Sequence, residues 1–169
     1  MRMPRRVRFL LAGGAVLALL SCAERAPTGP EASLIAPLLG PTGLLRCSPQ
    51  AAVSVTQTIG PAGGTLVIGA HQLSVPAGAL LEPTTITAVA PSDTVNAVRF
   101  QPEGLVFLSP PTLTMSYANC DVGGSLAPKE IVYTNDELDV VEYLASSDDI
   151  FAQRVTTLLQ HFSTYAVAW

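Results

Sequence analysis

The chain contains few charged residues, two histidines and one tryptophan. Asp, Glu, Lys and Arg make up 13% of its 169 residues, against 49% for hydrophobic residues. This balance excludes an intrinsically disordered chain and supplies enough apolar material for one hydrophobic core. The sequence also lacks a Walker loop and the Gly-x-Ser-x-Gly, His-Glu-x-x-His and Cys-x-x-Cys motifs. We therefore predict a protein that is not an enzyme and that holds neither a cofactor nor a metal.

Basic residues are scarce beyond position 22. Four of the nine lie before it, which leaves five against all thirteen acidic residues and a net charge of −8. Because nucleic-acid binding requires a basic face, this balance excludes DNA and RNA as partners and indicates a surface charged for solubility. The acidic residues Asp136, Glu137 and Asp139 lack the glycine and the terminal glutamate of an EF-hand, so we interpret them as a solvated loop.

The N-terminus has the organisation of a secretory signal. Residues 1–8 are rich in arginine, and residues 9–20 form a run of twelve apolar residues or glycines. A membrane-spanning helix needs about 20 apolar residues, so this run is too short to span and is typical of a signal peptide.

The run ends in Leu19-Leu20-Ser21-Cys22, which resembles the lipobox of bacterial lipoproteins. In that family the cysteine thiol receives a diacylglycerol, the signal is cut before the cysteine, and several acyl chains together give stable anchoring. The resemblance implies a lipid anchor on Cys22 and a location in the bacterial cell envelope. Ala23, which is not aspartate, indicates the outer membrane, on its periplasmic or surface face. The alternative is an ordinary signal peptide followed by an unrelated cysteine.

Proline and glycine interrupt residues 23–50 and prevent a long helix or strand there. We predict a flexible tether over residues 22–50, between a signal peptide over residues 1–21 and a domain over residues 51–169. The tether also contains leucines that indicate contact with the domain or the membrane, or a short helix: Leu34, Leu38, Leu39, Leu44 and Leu45.

Cys47 and Cys120 remain once Cys22 is assigned to the lipid. Two cysteines in an exported chain predict one disulfide, which in the loop-entropy model stabilises the fold by about 4 kcal/mol. A metal site is the alternative, but two cysteines with no histidine nearby in the sequence are a poor ligand set.

The region from residue 53 onward consists of short β-rich runs separated by Gly and Pro. Spacing of this kind is typical of an antiparallel β-sandwich or barrel, and we predict an all-β sandwich of about eight to ten strands. A short helix over residues 150–159 is an alternative to the strand predicted there, and we interpret Asp148-Asp149 as a turn. The predicted strands are 53–59, 65–68, 71–75, 84–90, 96–101, 112–117, 130–133, 140–144, 154–160 and 163–168.

Three segments of this region resemble the ZU-type domain of zonula occludens proteins, netrin receptors and ankyrins. They are Gly63-Gly64-Thr65-Leu66, the segment from Leu73 to Leu80 (Leu-Ser-Val-Pro-Ala-Gly-Ala-Leu), and the run Thr84-Thr85-Ile86-Thr87. Val106-Phe107, the run from Pro110 to Thr114, and Tyr117 resemble the second half of that domain. The resemblance covers residues 53–169 and implies a β-sandwich used for contacts between proteins. The glycine and proline positions also suit a strand that ends in a tight bend, which favours an architectural role.

The tripeptide His161-Phe162-Ser163 precedes the last predicted strand. In some animal ZU-type proteins such a tripeptide cleaves itself between Phe and Ser, with the hydroxyl attacking the preceding carbonyl and histidine acting as base. The alternative is structural, because bacterial domains of this appearance often end in His-Phe-Ser followed by an aromatic residue. His161 then forms a local hydrogen bond, Phe162 fills the core and Ser163 begins the strand.

We expect a lipid-anchored envelope protein whose ZU-like domain is an interaction or structural module, with another envelope protein as its partner. Self-processing at His161 and Ser163 is the second hypothesis. Binding of a small ligand or glycan is the third hypothesis. A glycan would stack on exposed aromatic rings, and the chain has few of these, with one tryptophan (Trp169) and four tyrosines.

Overall fold

The computed structural model describes residues 43–169. The predicted signal peptide, Cys22 and the tether as far as residue 42 lie outside the described residues. The described part contains eleven strands and no helix. The strands are β1 (Val53–Ile59), β2 (Gly64–Ile68), β3 (His71–Val75), β4 (Thr84–Ala90), β5 (Ala97–Gln101), β6 (Thr112–Ser116), β7 (Glu130–Thr134), β8 (Val140–Leu144), β9 (Ser146–Asp149), β10 (Arg154–Leu158) and β11 (Thr164–Ala168).

The strands form two antiparallel sheets. One has six strands in the order β1-β4-β5-β11-β7-β8, and the other has five in the order β2-β3-β6-β10-β9. Strand β11, near the middle of the larger sheet, pairs with β5 on one side and with β7 on the other. The all-β, sandwich-like fold predicted from the strand pattern is confirmed.

Alternation of apolar and polar side chains decides which face of each strand is buried. In β3, Leu73 and Val75 point into the core, whereas Gln72 is exposed on the outer face. This period of two is the geometry of a half-buried strand. The main core lies between the sheets, and a smaller second cluster consists of Ala97, Val132, Ala166 and Ala168. Fully buried members of the main core come from both sheets and from Phe162 just before β11; those in strands include Leu66, Ile68, Leu73, Ile86, Val98, Phe100, Leu113, Met115, Ile131, Val155 and Val167.

All ten predicted strands are present, and the structure adds one. The prediction of Asp148-Asp149 as a turn is wrong, because both residues belong to β9, which pairs with β10. The short helix considered for residues 150–159 is also wrong, because Arg154–Leu158 is a strand paired on both sides. Pairing with β10 outweighs the low β-propensity of Ser146 to Asp149.

The domain begins before residue 51, where the sequence placed its boundary. Leu45 is fully buried, and Leu44 forms a bridge to Ala168 in β11. The predicted disulfide is present, since Cys47 and Cys120 lie opposite each other in a β-bridge and their sulfur atoms are bonded. Residues 43–50 therefore belong to the folded domain, and two leucines assigned to the tether contact it.

The sandwich has two ends, which we name by the path of the chain. At the proximal end, the described chain begins at Gly43 and ends at Trp169, and their backbones are joined by a 3.0 Å hydrogen bond from the Trp169 N–H to the Gly43 oxygen. The distal end is the opposite one, where β3 leads to β4 and β5 leads to β6. Within residues 43–169 the structure contains no helix that is long and apolar enough to cross a membrane.

Candidate functional site

His161, Phe162 and Ser163 lie at the distal end, immediately before β11. The Phe162 side chain is fully buried, and its ring stacks on Phe100 at 4.8 Å and meets the edge of Phe107 at 4.9 Å between centroids. Ser163 is also buried. Strand β11 begins one residue later, at Thr164. The aromatic cluster fixes the tripeptide in place, as the structural alternative expects.

The peptide bond between Phe162 and Ser163 has a donor on its carbonyl oxygen. The Gly104 N–H donates to the Phe162 oxygen at 2.9 Å, and the His161 Nδ1 lies 3.4 Å from the same oxygen. The Phe162 N–H in turn donates to the Leu105 oxygen at 2.9 Å. In the described structure, the His161 ring is not hydrogen-bonded to the Ser163 hydroxyl. The arrangement supplies a donor for an oxyanion and, among the described residues, leaves the Ser163 hydroxyl without a hydrogen-bonded base.

His161 packs edge-on against the Tyr133 ring, with centroids 5.3 Å apart. Its carbonyl oxygen accepts a 2.5 Å hydrogen bond from the Tyr165 hydroxyl. Burial raises the pKa of Tyr165 well above its ordinary value, so this hydroxyl stays protonated and remains a donor. The contact closes the chain segment from His161 to Tyr165 into a compact unit.

A polar cleft of about 230 Å³ opens beside Ser163. Arg99 and Asp136 form an ion pair across it, with 2.8 Å between Nη2 and Oδ1, and Glu103 and Glu137 also line it. Both members of the pair are largely exposed, so the pair contributes little to stability. Among residues 43–169 no group of three or more His, Cys, Asp or Glu side chains is arranged to hold a metal ion.

The motif that resembles the ZU-type domain forms an interlocked bend at the distal end. Gly63 has φ of +75°, and a Cβ placed there would lie 2.4 Å from the Val75 oxygen and 2.8 Å from the Ala77 nitrogen. The Gly78 N–H donates to the Pro61 oxygen at 2.8 Å. The glycine turn and the Val-Pro-Ala-Gly segment thus pack backbone against backbone, which supports an architectural role for both.

The aromatic side chains are mostly internal. Tyr117 and Tyr165 are buried, Tyr133 is partly buried, and Tyr143 is the most exposed of the four tyrosines at 43%. Trp169 is partly buried, with the Lys129 ammonium 4.2 Å from the centre of its ring. This distribution leaves few stacking platforms for a sugar.

Exposed aliphatic side chains gather in two loops at the distal end. Leu81, in the loop from β3 to β4, is 77% exposed. Val106 and Leu108, in the loop from β5 to β6, are 70% and 66% exposed. The Leu108 N–H donates to the Ala79 oxygen at 3.0 Å, which joins the two loops. We name Leu81, Val106 and Leu108 the distal patch.

A second group of exposed apolar side chains lies at the proximal end. Phe151 is 95% exposed at the turn between β9 and β10, beside Ile150, and Leu126 is 78% exposed in the loop between β6 and β7. The Asp149 carboxylate holds the turn, accepting hydrogen bonds from the backbone N–H of Phe151 at 3.1 Å and of Ala152 at 2.9 Å. We name Leu126, Ile150 and Phe151 the proximal patch.

The proximal patch surrounds a cleft of about 260 Å³ that is also lined by Tyr117, Val122 and Lys129. The Lys129 side chain is almost completely buried, and its ammonium donates to the Ala127 oxygen. Burial lowers the pKa of Lys129, while Asp148 opposes that shift. The cation is thus turned towards Trp169 and the backbone, which leaves the rim of the cleft mostly apolar, with Ser125 and Gln153 as its uncharged polar members.

Sequence reasoning did not identify either patch. The usable signal is local: Leu126 follows Gly123-Gly124-Ser125, and Ile150-Phe151 follow two aspartates, so these apolar residues lie in or beside turns. Large apolar side chains are uncommon choices for solvated turns, and several of them at one end of a domain indicate an interaction surface.

Compared with known protein families and with curated proteins, the chain gives no match.

Proposed function

We propose that this chain is a bacterial envelope lipoprotein, anchored through Cys22, whose ZU-like β-domain binds another envelope protein. The observation that carries the binding role is the distal patch. Its three aliphatic side chains are each at least 66% exposed, and they come from two loops tied together by a backbone hydrogen bond. Single exposed apolar residues are ordinary on protein surfaces, but a group on fixed loops is typical of a binding surface.

The position of the distal patch suits a tethered protein. The chain enters the described domain at Gly43, and the patch lies at the opposite end of the sandwich. With an anchor at Cys22, the residues from 23 to 42 could extend at most about 70 Å. The distal loops would then be presented away from the anchoring membrane, towards proteins that the tether allows the domain to reach.

Site-specific photocrosslinking in living cells tests this proposal. A photoreactive amino acid at Val106 is expected to give an adduct of defined mass with one envelope protein. Val67 is a matched control, because it is also an exposed valine (61%) but lies on the outer face of β2. The adduct should be absent at Val67 and should be lost when Leu108→Asp places a charge in the patch. Identical adducts at both positions, or none at Val106, would contradict the proposal.

Self-processing between Phe162 and Ser163 is a second candidate function. The hydrogen bond from the Gly104 N–H to the Phe162 oxygen favours it, because that donor would stabilise an oxyanion formed during attack by the hydroxyl. The aromatic packing of Phe162 and the regular backbone bonds on both sides favour the structural alternative.

Mass spectrometry of the purified, denatured protein separates the two. We expect one intact chain ending at Trp169. A fragment beginning at Ser163 that is lost in Ser163→Ala would instead establish self-processing, and Ser163→Thr, which retains a hydroxyl, provides the matched comparison.

A further inference from the structure

We infer that the proximal patch is a second membrane contact, in which Leu126, Ile150 and Phe151 insert into the lipid surface that holds the anchor. This inference rests on the proposed function, because it takes the anchoring membrane as the surface that the patch meets. The proximal patch is at the end of the domain opposite to the distal patch. The lipid surface would contact the proximal end, and the protein partner would contact the distal end.

The path of the chain places the patch beside the tether. The Trp169 N–H is bonded to the Gly43 oxygen, and the Trp169 ring lies against Lys129. Lys129 in turn lines the cleft that Leu126 and Phe151 surround. Trp169 and Lys129 therefore connect the proximal patch to Gly43, where the tether enters the domain. Of the two ends of the sandwich, this is the one at which the chain from the anchor enters the domain.

The chemistry of the patch suits a lipid interface better than solvent. Phe151 is displayed on a turn fixed by the Asp149 carboxylate, so the backbone that carries the ring is ordered before insertion and adds little to its entropic cost. Amphipathic surfaces bind bilayers through buried apolar area, and anionic lipids add to this only when the surface is basic. The exposed charged side chains nearby are two acids, Asp121 and Asp149, and two bases, Arg46 and Arg154. The Lys129 ammonium is buried, so the surface around the patch carries no excess of positive charge. We therefore expect insertion into a zwitterionic surface, with no gain from anionic lipid.

Fluorescence quenching by brominated lipids measures the contact directly. The protein used is the chain from Cys22 onward, which is the form that the proposed processing leaves. It is coupled through the Cys22 thiol to a maleimide lipid in phosphatidylcholine vesicles. Cys47 and Cys120 are joined to each other, so Cys22 is the one free thiol of the three cysteines. Chemical coupling holds the domain at a membrane whether or not cells lipidate it.

Phe151→Trp reports on the proximal patch, and Val106→Trp is the matched control on the distal patch. The parent chain, whose one tryptophan is Trp169, gives the baseline fluorescence and its quenching. We expect phosphatidylcholine brominated on its acyl chains to quench Trp at position 151 and not at position 106. Addition of phosphatidylglycerol should leave that quenching unchanged or weaker. Without coupling, Phe151→Ala should lower affinity for the vesicles by about tenfold, because it removes a ring from the buried area.

Equal quenching at positions 151 and 106, or quenching at neither, would overturn the inference. A protein partner as the true occupant of the proximal patch would appear as a photocrosslink from position 151 to a protein, without quenching by lipid. If Trp at position 151 is quenched but cells do not lipidate Cys22, the proximal patch stands as a lipid-binding surface and the proposed anchor fails.

Discussion

His71 makes the stability of the domain depend on pH. It is buried at the proximal end of β3, and its Nδ1 accepts a 3.1 Å hydrogen bond from the Ser116 N–H in β6. That bond requires an unprotonated Nδ1. Burial lowers the pKa of His71 from 6.5 to about 4. Protonation would therefore remove the acceptor and place a charge in the core.

The size and direction of the effect follow from the two pKa values. The unfolded chain binds a proton near pH 6.5, whereas the folded chain binds it only near pH 4. Between these values the unfolded state holds more protons, so the free energy of unfolding falls as the pH is lowered. The contribution of His71 is complete above about pH 6.5, and about 3 kcal/mol of it is lost by pH 4.

Urea unfolding at a series of pH values, for the parent chain and for His71→Asn, measures this contribution. Asn places a carbonyl oxygen near the position of Nδ1, so it retains an acceptor for the Ser116 N–H without a titrating ring. The parent should lose about 3 kcal/mol more than His71→Asn between pH 7 and pH 4. Equal slopes in the two proteins would refute the assignment of this pH dependence to His71.

Three further predictions concern stability. Gly63→Ala should destabilise the domain by more than about 2 kcal/mol, because it combines a positive φ with a clash against backbone. Gly78→Ala, with a similar φ but open space around it, should cost about 1 kcal/mol. Equal losses of urea midpoint in the two variants would contradict the packing argument. Replacement of both Cys47 and Cys120 by Ala should lower the free energy of unfolding by about 4 kcal/mol, and a change below about 1 kcal/mol would show that the closed loop is unimportant. Phe162→Ala should cost about 3 to 5 kcal/mol in calorimetry, while Phe162→Leu should retain most of the stability; a small effect of the first would refute the role of Phe162 in the core.

Strand positions were predictable because alternation and turn residues are local signals. Val53–Ile59 and Thr84–Ala90 both alternate and are bounded by Gly or Pro, and both strands have the predicted bounds. The interlocked bend was also readable, since Gly63 and Pro76 carry backbone preferences that do not depend on distant residues.

Strand β9 was not predictable from such signals. Its sequence, Ser-Ser-Asp-Asp, has low strand propensity, and its conformation depends on contacts that are distant in the chain. Asp148 accepts a 2.7 Å hydrogen bond from the Tyr117 hydroxyl and a 2.9 Å bond from the Lys129 N–H. These partners fix an aspartate that, in isolation, suits a turn.

The position of the two patches was equally hidden. Their residues come from separate loops, and only the order of strands within the sheets brings Leu126 beside Phe151 and places Leu81 and Val106 at the same end. The burial of Leu45 likewise depends on pairing between the first described residues and β11. Sequence composition indicated a tether as far as residue 50, and tertiary contacts made its last residues part of the domain.

The central claim is that Cys22 carries a lipid and fixes the domain to a membrane. Growth of bacteria that express the full chain with an alkyne analogue of palmitate tests it, followed by membrane fractionation and mass spectrometry of the N-terminal peptide. We predict a labelled protein in the membrane fraction whose first residue is Cys22, modified by acyl groups, and an unlabelled product from Cys22→Ala. An unlabelled parent chain that stays out of the membrane fraction would contradict the account.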